Sequence, residues 1–451
     1  MSLLPWLDER LASWGSAEAL IVHDRVYDYV ALGAAIAAED TRLDAAGVRA
    51  GDVVVLEADY GLGSIALMLA LARRGAIVAP LAPGALVEAD HLVALSEATW
   101  VAQHADDSQP VSLRSTGRTS EHPLYAELRA RRSPGLVIFT SGSSGLPKAV
   151  VHDLAHVVAK HQRPRAPART LSFLLFDHIG GFNTLIQTLA SGGALVIPGS
   201  HDPEVVAAAV ARHRVELLPV TPTFLNLLLL SAAHERHDLK SLKVVSYGTE
   251  PMPPSTLERA TEALPWARFH QLYGMSELGI LRSKVREGDG LWLQLGGEGV
   301  DTRVVDGILH IKSPSSMLGY LNAPSPYSED GWLITGDEVE EDGPWLRIKG
   351  RRSELINVGG QKVFPAEVED IIARLDNIAD VTVFGEPHPL MGRVVACRVN
   401  LNHPEELRTL RIRLRKFCRE NLAEFKVPVR VEVTDEPLYG ARHKRLRTRE
   451  P

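Results

Sequence analysis

The chain of 451 residues has 45% hydrophobic and 23% charged side chains, the proportions of an ordinary globular protein. Its 49 Lys+Arg against 56 Asp+Glu leave a formal net charge of −7, which excludes a whole-chain electrostatic grip on nucleic acid. Two cysteines, Cys397 and Cys418, exclude a disulfide framework and a multi-cysteine metal site, and point to a reducing compartment.

In chain order, Met1–Trp14 mixes Asp8, Glu9 and Arg10 with apolar residues and reads as an amphipathic first helix. It has no basic leader or cleavage signature, so a cytoplasmic location is expected. Val53–Glu57 reads as a strand, Ser64–Arg74 as a helix, and Ile77–Pro80 as a second strand. Leu136–Thr140, Ala194–Pro198, Leu217–Val220 and Val244–Tyr247 continue the strand pattern; several are apolar on both faces, as buried parallel strands are. The most apolar stretch, Leu217–Leu230, runs 14 residues and is broken by Pro219, Pro222 and Asn226. A membrane span needs ~20, so none is expected. From about Gly296 short strands alternate with turns, as at Thr302–Val305, Asp306-Gly307 and Ile308–Ile311. After Gly350 come a helix (Glu367–Arg374), two strands (Ala379–Phe384, Val394–Asn400) and a charged amphipathic helix (Pro404–Asn421). The expected fold is α/β: a large multi-layer N-terminal domain of mixed sheets and helices, with a small antiparallel subdomain, over residues 1–350. A small α+β C-terminal domain would follow over 351–451, with its boundary near Gly350–Ser353.

The segment that carries most chemistry follows a strand: Thr140, Ser141, Gly142, Ser143, Ser144, Gly145, Leu146, Pro147, Lys148. Glycines allow successive N–H groups to converge on an anion, hydroxyls add donors, and the lysine adds a point charge. The bland alternative is a Ser/Gly linker; the spacing is not that of a Walker loop. This loop resembles the T-S-G-S/T-S/T-G-x-P-K-G motif of the adenylate-forming (AMP-binding) superfamily of acyl-CoA synthetases, luciferases and peptide-synthetase adenylation domains, with Ala149 in place of the last glycine. Further motifs follow in family order. Tyr273-Gly274-Met275-Ser276-Glu277 resembles Y-G-x-S/T-E, and Ser246–Pro251 stands at the adenine-edge loop. Gly331–Asp337 resembles G-W-F/Y-x-T-G-D, and Gly350–Ile356 with Val358–Glu369 resembles the stretch that opens the family's C-terminal domain, with Ser353 where Asp or Lys usually stands.

The resemblance, closest to acyl- and aryl-CoA synthetases, implies ATP-dependent activation of a carboxylic acid to acyl-AMP, release of pyrophosphate, and transfer to the thiol of CoA. A mobile C-terminal domain would turn between the two half-reactions. It implies that residues 140–145 and Lys148 hold phosphates, that Tyr273 stacks on adenine with Gly274 also at the nucleotide, and that Ser276 touches the α-phosphate. Glu277 would hold Mg²⁺, which suits a hard carboxylate beside phosphate oxygens. Gly248, Thr249 and Glu250 would line base and acyl pocket, Asp337 would grip the ribose, and Arg351 would bind ribose or phosphate. Gly359 and Gly360 would flank the pantetheine tunnel.

In the tail, Lys444 and Arg447 fit the family's terminal K-x-x-R, where the adenylation lysine sits. Pro437 lies one residue further away than usual, and His443 replaces a glycine. Arg442, Lys444, Arg445, Arg447 and Arg449 form a basic run whose bland reading is a solvated tail. Phe176-Asp177-His178-Ile179-Gly180-Gly181 resembles F-H-x-x-G with an extra aspartate, which places His178 at the border of the acyl pocket. Peptide-synthetase domains use F-D-x-S, whose aspartate holds an amino group; Ile179 stands where that serine would be, which favours a simple acid. Asp177, Phe182, Tyr247, Met275 and Ile280 complete the expected pocket, mostly apolar and suited to a modest hydrophobic or aromatic acid. Competing readings are a ligase that loads a carrier-protein phosphopantetheine, and a non-catalytic nucleotide- or acyl-binding relative. Lys148, Glu277, Asp337 and Arg351 speak for the enzyme.

Overall fold

The computed structural model describes residues 2–85, 90–104, 111–140, 147–440 and 442–447. Two seven-stranded sheets form its centre. In the first, Arg268–Gln271, Val244–Tyr247, Leu217–Val220, Arg169–Leu171, Ala194–Ile197 and Glu18–Val22 run parallel, and Arg25–Asp28 closes one edge antiparallel. In the second, Gly135–Thr140, Ile77–Leu81, Val53–Ala58 and Trp100–His104 are the parallel centre. Antiparallel strands flank it: Lys148–Asp153 and Gly319–Tyr320 on one side, Ser112–Ser115 on the other.

The pleat explains why these strands read as unbroken apolar runs. Val54 and Leu56 face one core cluster while Val53 and Val55 face another, and Leu136 and Ile138 alternate with Val137 and Phe139 in the same way. In the first sheet Leu195 and Ile197 share the central cluster, whereas Val196 faces the opposite one. Helices Tyr29–Ala46, Leu62–Arg74 and Ile179–Ala190 supply the central cluster and lie between the sheets. Helices Pro203–His213, Pro222–Leu230 and Pro254–Ala263 cover the outer face of the first sheet. The second sheet is covered by Asp90–Leu95 and Pro123–Arg131. The result is a layered α/β body with both sheets buried on both faces.

Local signals set the helix ends. Asp28, Asp202 and Thr221 each accept a backbone N–H from the first turn of their helix. Proline occupies the first position of several helices, where its missing N–H costs no hydrogen bond. The N-terminal helix is shorter than the sequence suggests, Pro5–Ser13, because Pro5 starts it.

A third, six-stranded antiparallel sheet runs Arg282–Arg286, Asp289–Gly296, Trp345–Arg351, Leu333–Asp342, Ile308–Lys312, Asp301–Val305 around its own apolar cluster. Its Trp345–Arg351 strand is followed by a 3₁₀ turn, Arg352–Glu354, that includes Ser353. Ile356–Val358 then enters a fourth sheet with Gln361–Val363, Ile378–His388, Gly392–Leu401 and Arg430–Val433. Helices Pro365–Ile372 and Leu407–Asn421 pack on it through a separate core. Cys397 and Cys418 are buried members of that core, and burial pushes both thiols up, Cys418 to about 11. They act as small apolar fillers. The long amphipathic helix starts at Leu407 rather than Pro404, since the intervening acidic pair precedes its first turn. The two bodies touch where Asp370 Oδ1 accepts the Ser255 N–H at 2.9 Å. Among the described residues no helix is long and apolar enough to cross a membrane.

Candidate active site

The site gathers at the C-terminal ends of the parallel strands in the first sheet, where open α/β sheets place ligands. Strand Val244–Tyr247 ends in Gly248, Thr249 and Glu250. A Cβ on Gly248 would stand 2.8 Å from the Leu272 carbonyl oxygen, so this approach of two loops requires glycine. Glu250 accepts from Thr223 Oγ1 at 2.9 Å, and burial raises its carboxyl pKa against the pull of Arg445 and Arg447. Tyr247, expected in the acyl pocket, is packed in the sheet. Its side chain is 1% exposed within the sheet's core, and its hydroxyl donates to the Gly290 carbonyl at 2.8 Å.

Tyr273–Glu277 leads into a small hairpin, Gly274–Met275 against Gly279–Ile280, with Ser276 and Glu277 in its turn. Tyr273 and Met275 are buried beside the third sheet. The Tyr273 hydroxyl donates to Asp337 Oδ2 at 2.7 Å, and Asp337 Oδ1 lies 3.1 Å from Arg351 Nε. Asp337 is held by its own motif: Thr335 Oγ1 accepts the Asp337 N–H at 3.0 Å and donates to the Leu309 carbonyl at 2.7 Å. Burial raises the Asp337 carboxyl pKa, opposed by Arg351.

Thr140 and Lys148 are register partners that flank residues 141–146, so Ser141, Gly142, Ser143, Ser144 and Gly145 lie outside the described residues. The exit of that segment is clamped. Asn322 donates to the Pro147 carbonyl at 2.8 Å and accepts from the Ala149 N–H at 3.0 Å. Tyr320 connects the lysine to the acid: Lys148 Nζ stands 5.2 Å above its ring, and its hydroxyl donates to Glu277 Oε1 at 2.6 Å. His152 Nε2, fully buried, donates to the Ser276 carbonyl at 2.6 Å, and burial lowers its pKa.

The third wall comes from the tail. Gly440 N–H donates to the Lys444 carbonyl at 3.0 Å, His443 N–H to Gly440 at 2.8 Å, and Leu446 N–H to Leu438 at 2.9 Å, which makes a tight loop. His443 adopts φ +49, the left-handed region that glycine fills in the family motif. Its ring stacks on Tyr439 at 5.4 Å, and Thr221 Oγ1 donates to its carbonyl at 2.8 Å. A small cavity remains, lined by Phe173, Leu174, Leu175, His178, Arg442, His443 and Lys444. Burial lowers the Lys444 pKa against the attraction of Glu250, with Arg442 and Arg351 lowering it further.

His178 caps helix Ile179–Ala190, its Nδ1 accepting the Gly180 N–H at 3.0 Å. Burial, then Lys444 and Arg442, hold its pKa well below the ordinary value, so it is a neutral imidazole with Nε2 protonated. A Cβ on Gly181 would meet Tyr60 Oη at 2.6 Å and the Leu174 oxygen at 2.7 Å, which explains the His-x-x-Gly spacing. Phe182 packs into the central core at 3% exposure, and Ile280 accepts Lys160 Nζ through its carbonyl at 2.6 Å.

Among the described residues the arginines of the basic run are paired rather than solvated, and Arg449 lies outside the described residues. Arg442 pairs with Asp177 at 2.9 Å, Arg445 with Asp380 at 2.8 Å, and Arg447 with Glu369 at 2.8 Å and with Glu354. Gly359 and Gly360 are the residues the structure does not bring to this site. They turn between Ile356–Val358 and Gln361–Val363, and a Cβ on Gly359 would stand 2.7 Å from Met391 Cε. Sequence reasoning missed His152, Tyr320, Asn322 and Thr221, whose motifs are single residues on remote segments. The one legible trace was Arg442, within the basic run.

As for magnesium, Glu277 is a buried carboxylate whose Oε1 accepts from Tyr320, and among the described residues no group of three or more His, Cys, Asp or Glu side chains could hold a metal ion. That set fits a magnesium ion held by one carboxylate and phosphate oxygens, and not a protein-caged metal.

Residues 7–321 match the AMP-binding enzyme family, and residues 367–440 match the AMP-binding enzyme C-terminal domain. An octahydroindenyl-propanoyl:CoA ligase of Mycobacterium tuberculosis is 28% identical over 95% of this chain and 94% of its own length. Feruloyl-CoA synthase of Amycolatopsis is 28% identical over 90% of each chain. Among solved structures, the anthranilate CoA ligase AuaEII in complex with anthranoyl-AMP superposes with a TM-score of 0.84 at 20% identity, over 99% of this chain and 95% of that one. With both parts of the sequence matched in order, the chain belongs to the AMP-binding enzyme family, the adenylate-forming superfamily that its motifs resemble.

Proposed function

We propose that this enzyme joins a carboxylic acid, aromatic or modestly apolar, to the thiol of CoA in two steps through an acyl-AMP. In the first, a carboxylate oxygen attacks the α-phosphorus of ATP, an O–P bond forms, and pyrophosphate leaves with the electrons of the broken P–O bond. In the second, the thiolate attacks the acyl carbon and AMP leaves. Both steps ask the protein mainly for orientation and for charge placed where anions gather. The observation that carries this reading is the seating of Lys444 in a cavity beside His178, with Glu250 and Arg351 close enough to act on its charge. Residues 1–350 and 351–451 would be the two working bodies.

Lys444 would sit against the phosphates of the first step, and Lys148 would meet them from the opposite strand. Asp337, oriented by Tyr273 and Arg351, would take the ribose hydroxyls. Glu277 would hold magnesium, which when bound supplies charge compensation for the triphosphate. Neutral His178 would border the carboxylate, and Phe182, Met275 and Ile280 supply apolar walls. Gly359 and Gly360 would reach the thiol path only after the small body has turned. Asp177 already holds Arg442, which supports an acid without an amino group.

The test is pyrophosphate exchange into ATP over a panel of aliphatic, aromatic and amino acids, followed by addition of CoA or a carrier protein. Exchange with aromatic or small apolar acids and a CoA thioester are expected. Absence of exchange with every acid would overturn the reading in favour of a binding protein.

A further inference from the structure

Asp177 is buried at 6% exposure, on a loop that leads directly into His178 and the acid-binding cavity. A carboxylate here stands where an anionic acid and an anionic nucleotide must arrive, so it opposes the reaction unless its charge is compensated. Its partner comes from 265 positions further along the chain: Arg442 Nη2 donates to Asp177 Oδ2 at 2.9 Å. The partner is two residues before Lys444, in the loop closed by the Gly440–Lys444 and Leu438–Leu446 hydrogen bonds. Arg442 is 37% exposed at its side chain and Asp177 9%, so the pair sits at the seam where the tail enters the cavity.

We propose that Asp177 and Arg442 form a latch specific to the acid-activating arrangement: the pair seats the terminal loop so that Lys444 reaches the cavity, and Arg442 cancels the charge of Asp177 while the anionic acid is bound. Both are positioning residues. When the tail withdraws the pair separates, so the latch acts in the first half-reaction and not in the second. The inference rests on the two-step reaction proposed above.

Three variants test it: Asp177→Asn, Arg442→Gln and the double substitution, each first matched to wild type in melting temperature. Pyrophosphate exchange is expected to fall about ten- to a hundredfold in Asp177→Asn, through loss of loop placement. Arg442→Gln is expected to fall similarly and also to raise the KM for the acid, because it leaves Asp177 bare. In the double variant the KM increase should disappear and the rate should be no lower than in the worse single variant, the non-additivity of a direct pair. Thioester formation from supplied acyl-AMP and CoA should fall at least tenfold less than pyrophosphate exchange in all three. A readout independent of activity is limited trypsinolysis of the whole protein. Cleavage after Arg442 or Lys444 should be slow in wild type and several-fold faster in Asp177→Asn. Additive losses, equal losses in both half-reactions, or unchanged cleavage would overturn the latch. If wild type shows no exchange with any acid but cleavage still accelerates in Asp177→Asn, the latch stands as a seating device and the two-step reading is what fails.

Discussion

Lys444 lines the small cavity beside Phe173, Leu174 and Leu175; desolvation is the largest influence on its amine, and Glu250 the strongest attraction opposing it. Its cationic form is the useful one, and burial favours the neutral form. The alkaline limb of kcat/KM, which reports the free enzyme, should therefore lie below the ordinary lysine range. Lys444→Arg should move that limb upward, since a guanidinium stays charged. Lys444→Ala should depress pyrophosphate exchange by roughly 10²–10³-fold, the scale of one lost electrostatic donor, while thioester formation from supplied acyl-AMP survives. Equal losses in both steps would contradict the assignment. Asp337→Asn keeps the shape of a residue held by Thr335 and Tyr273 but removes its charge, so KM for ATP should rise more than kcat falls. Lys444 was legible as a letter in a terminal K-x-x-R. Its neighbours Thr221 and Thr223 were not, because their contacts with His443 and Glu250 join segments far apart in sequence.

At the scale of elements, the loop from Phe173 to His178 and the helix it starts form one unit. His178 caps the helix, Gly181 lets the loop carbonyls pass over the first turn, and Tyr60 donates to the Leu174 carbonyl at 3.1 Å from beneath. Gly181→Ala forces a methyl against backbone oxygens and should destabilise the protein by about 1–3 kcal/mol. A thermal melt compares it with wild type, and an unchanged midpoint would show that the loop can yield. The strands were legible because both-face burial leaves long apolar runs, as in Val53–Ala58. Short pieces such as Gly274–Met275 and Gly279–Ile280 were not, since two residues carry no periodicity and their pairing depends on Tyr273 and Leu281 being drawn into the third sheet's core.

On the scale of the whole molecule, the terminal loop is fastened by buried charges more than by apolar area. Arg445, Asp380 and Glu369 have side-chain exposures of 6%, 7% and 2%. Arg445→Met would leave Asp380 buried without its partner, so a loss of about 3–5 kcal/mol is expected, read by denaturant unfolding of the full chain. Lys160 gives a pH signature. Burial, aided by Arg165 and Arg282, pushes its pKa down to about 7. The unfolded chain then binds more protons than the native one between about pH 7 and the ordinary lysine range, so native stability rises with pH across that window. Below pH 7 both states are protonated and the cost of the buried charge is complete. The melting-point advantage of Lys160→Met over wild type should therefore shrink from pH 7 to 9; a constant difference would contradict the burial. The modest net charge of −7 carried none of this, because the decisive charges are paired or buried locally. Acyl-AMP is the intermediate that the two proposed steps share. With an accepted acid labelled with ¹⁸O in its carboxylate, incubation with ATP and CoA should place one label in the phosphate of AMP and leave one in the thioester. Label found in inorganic phosphate, or retained entirely in the acyl product, would contradict it.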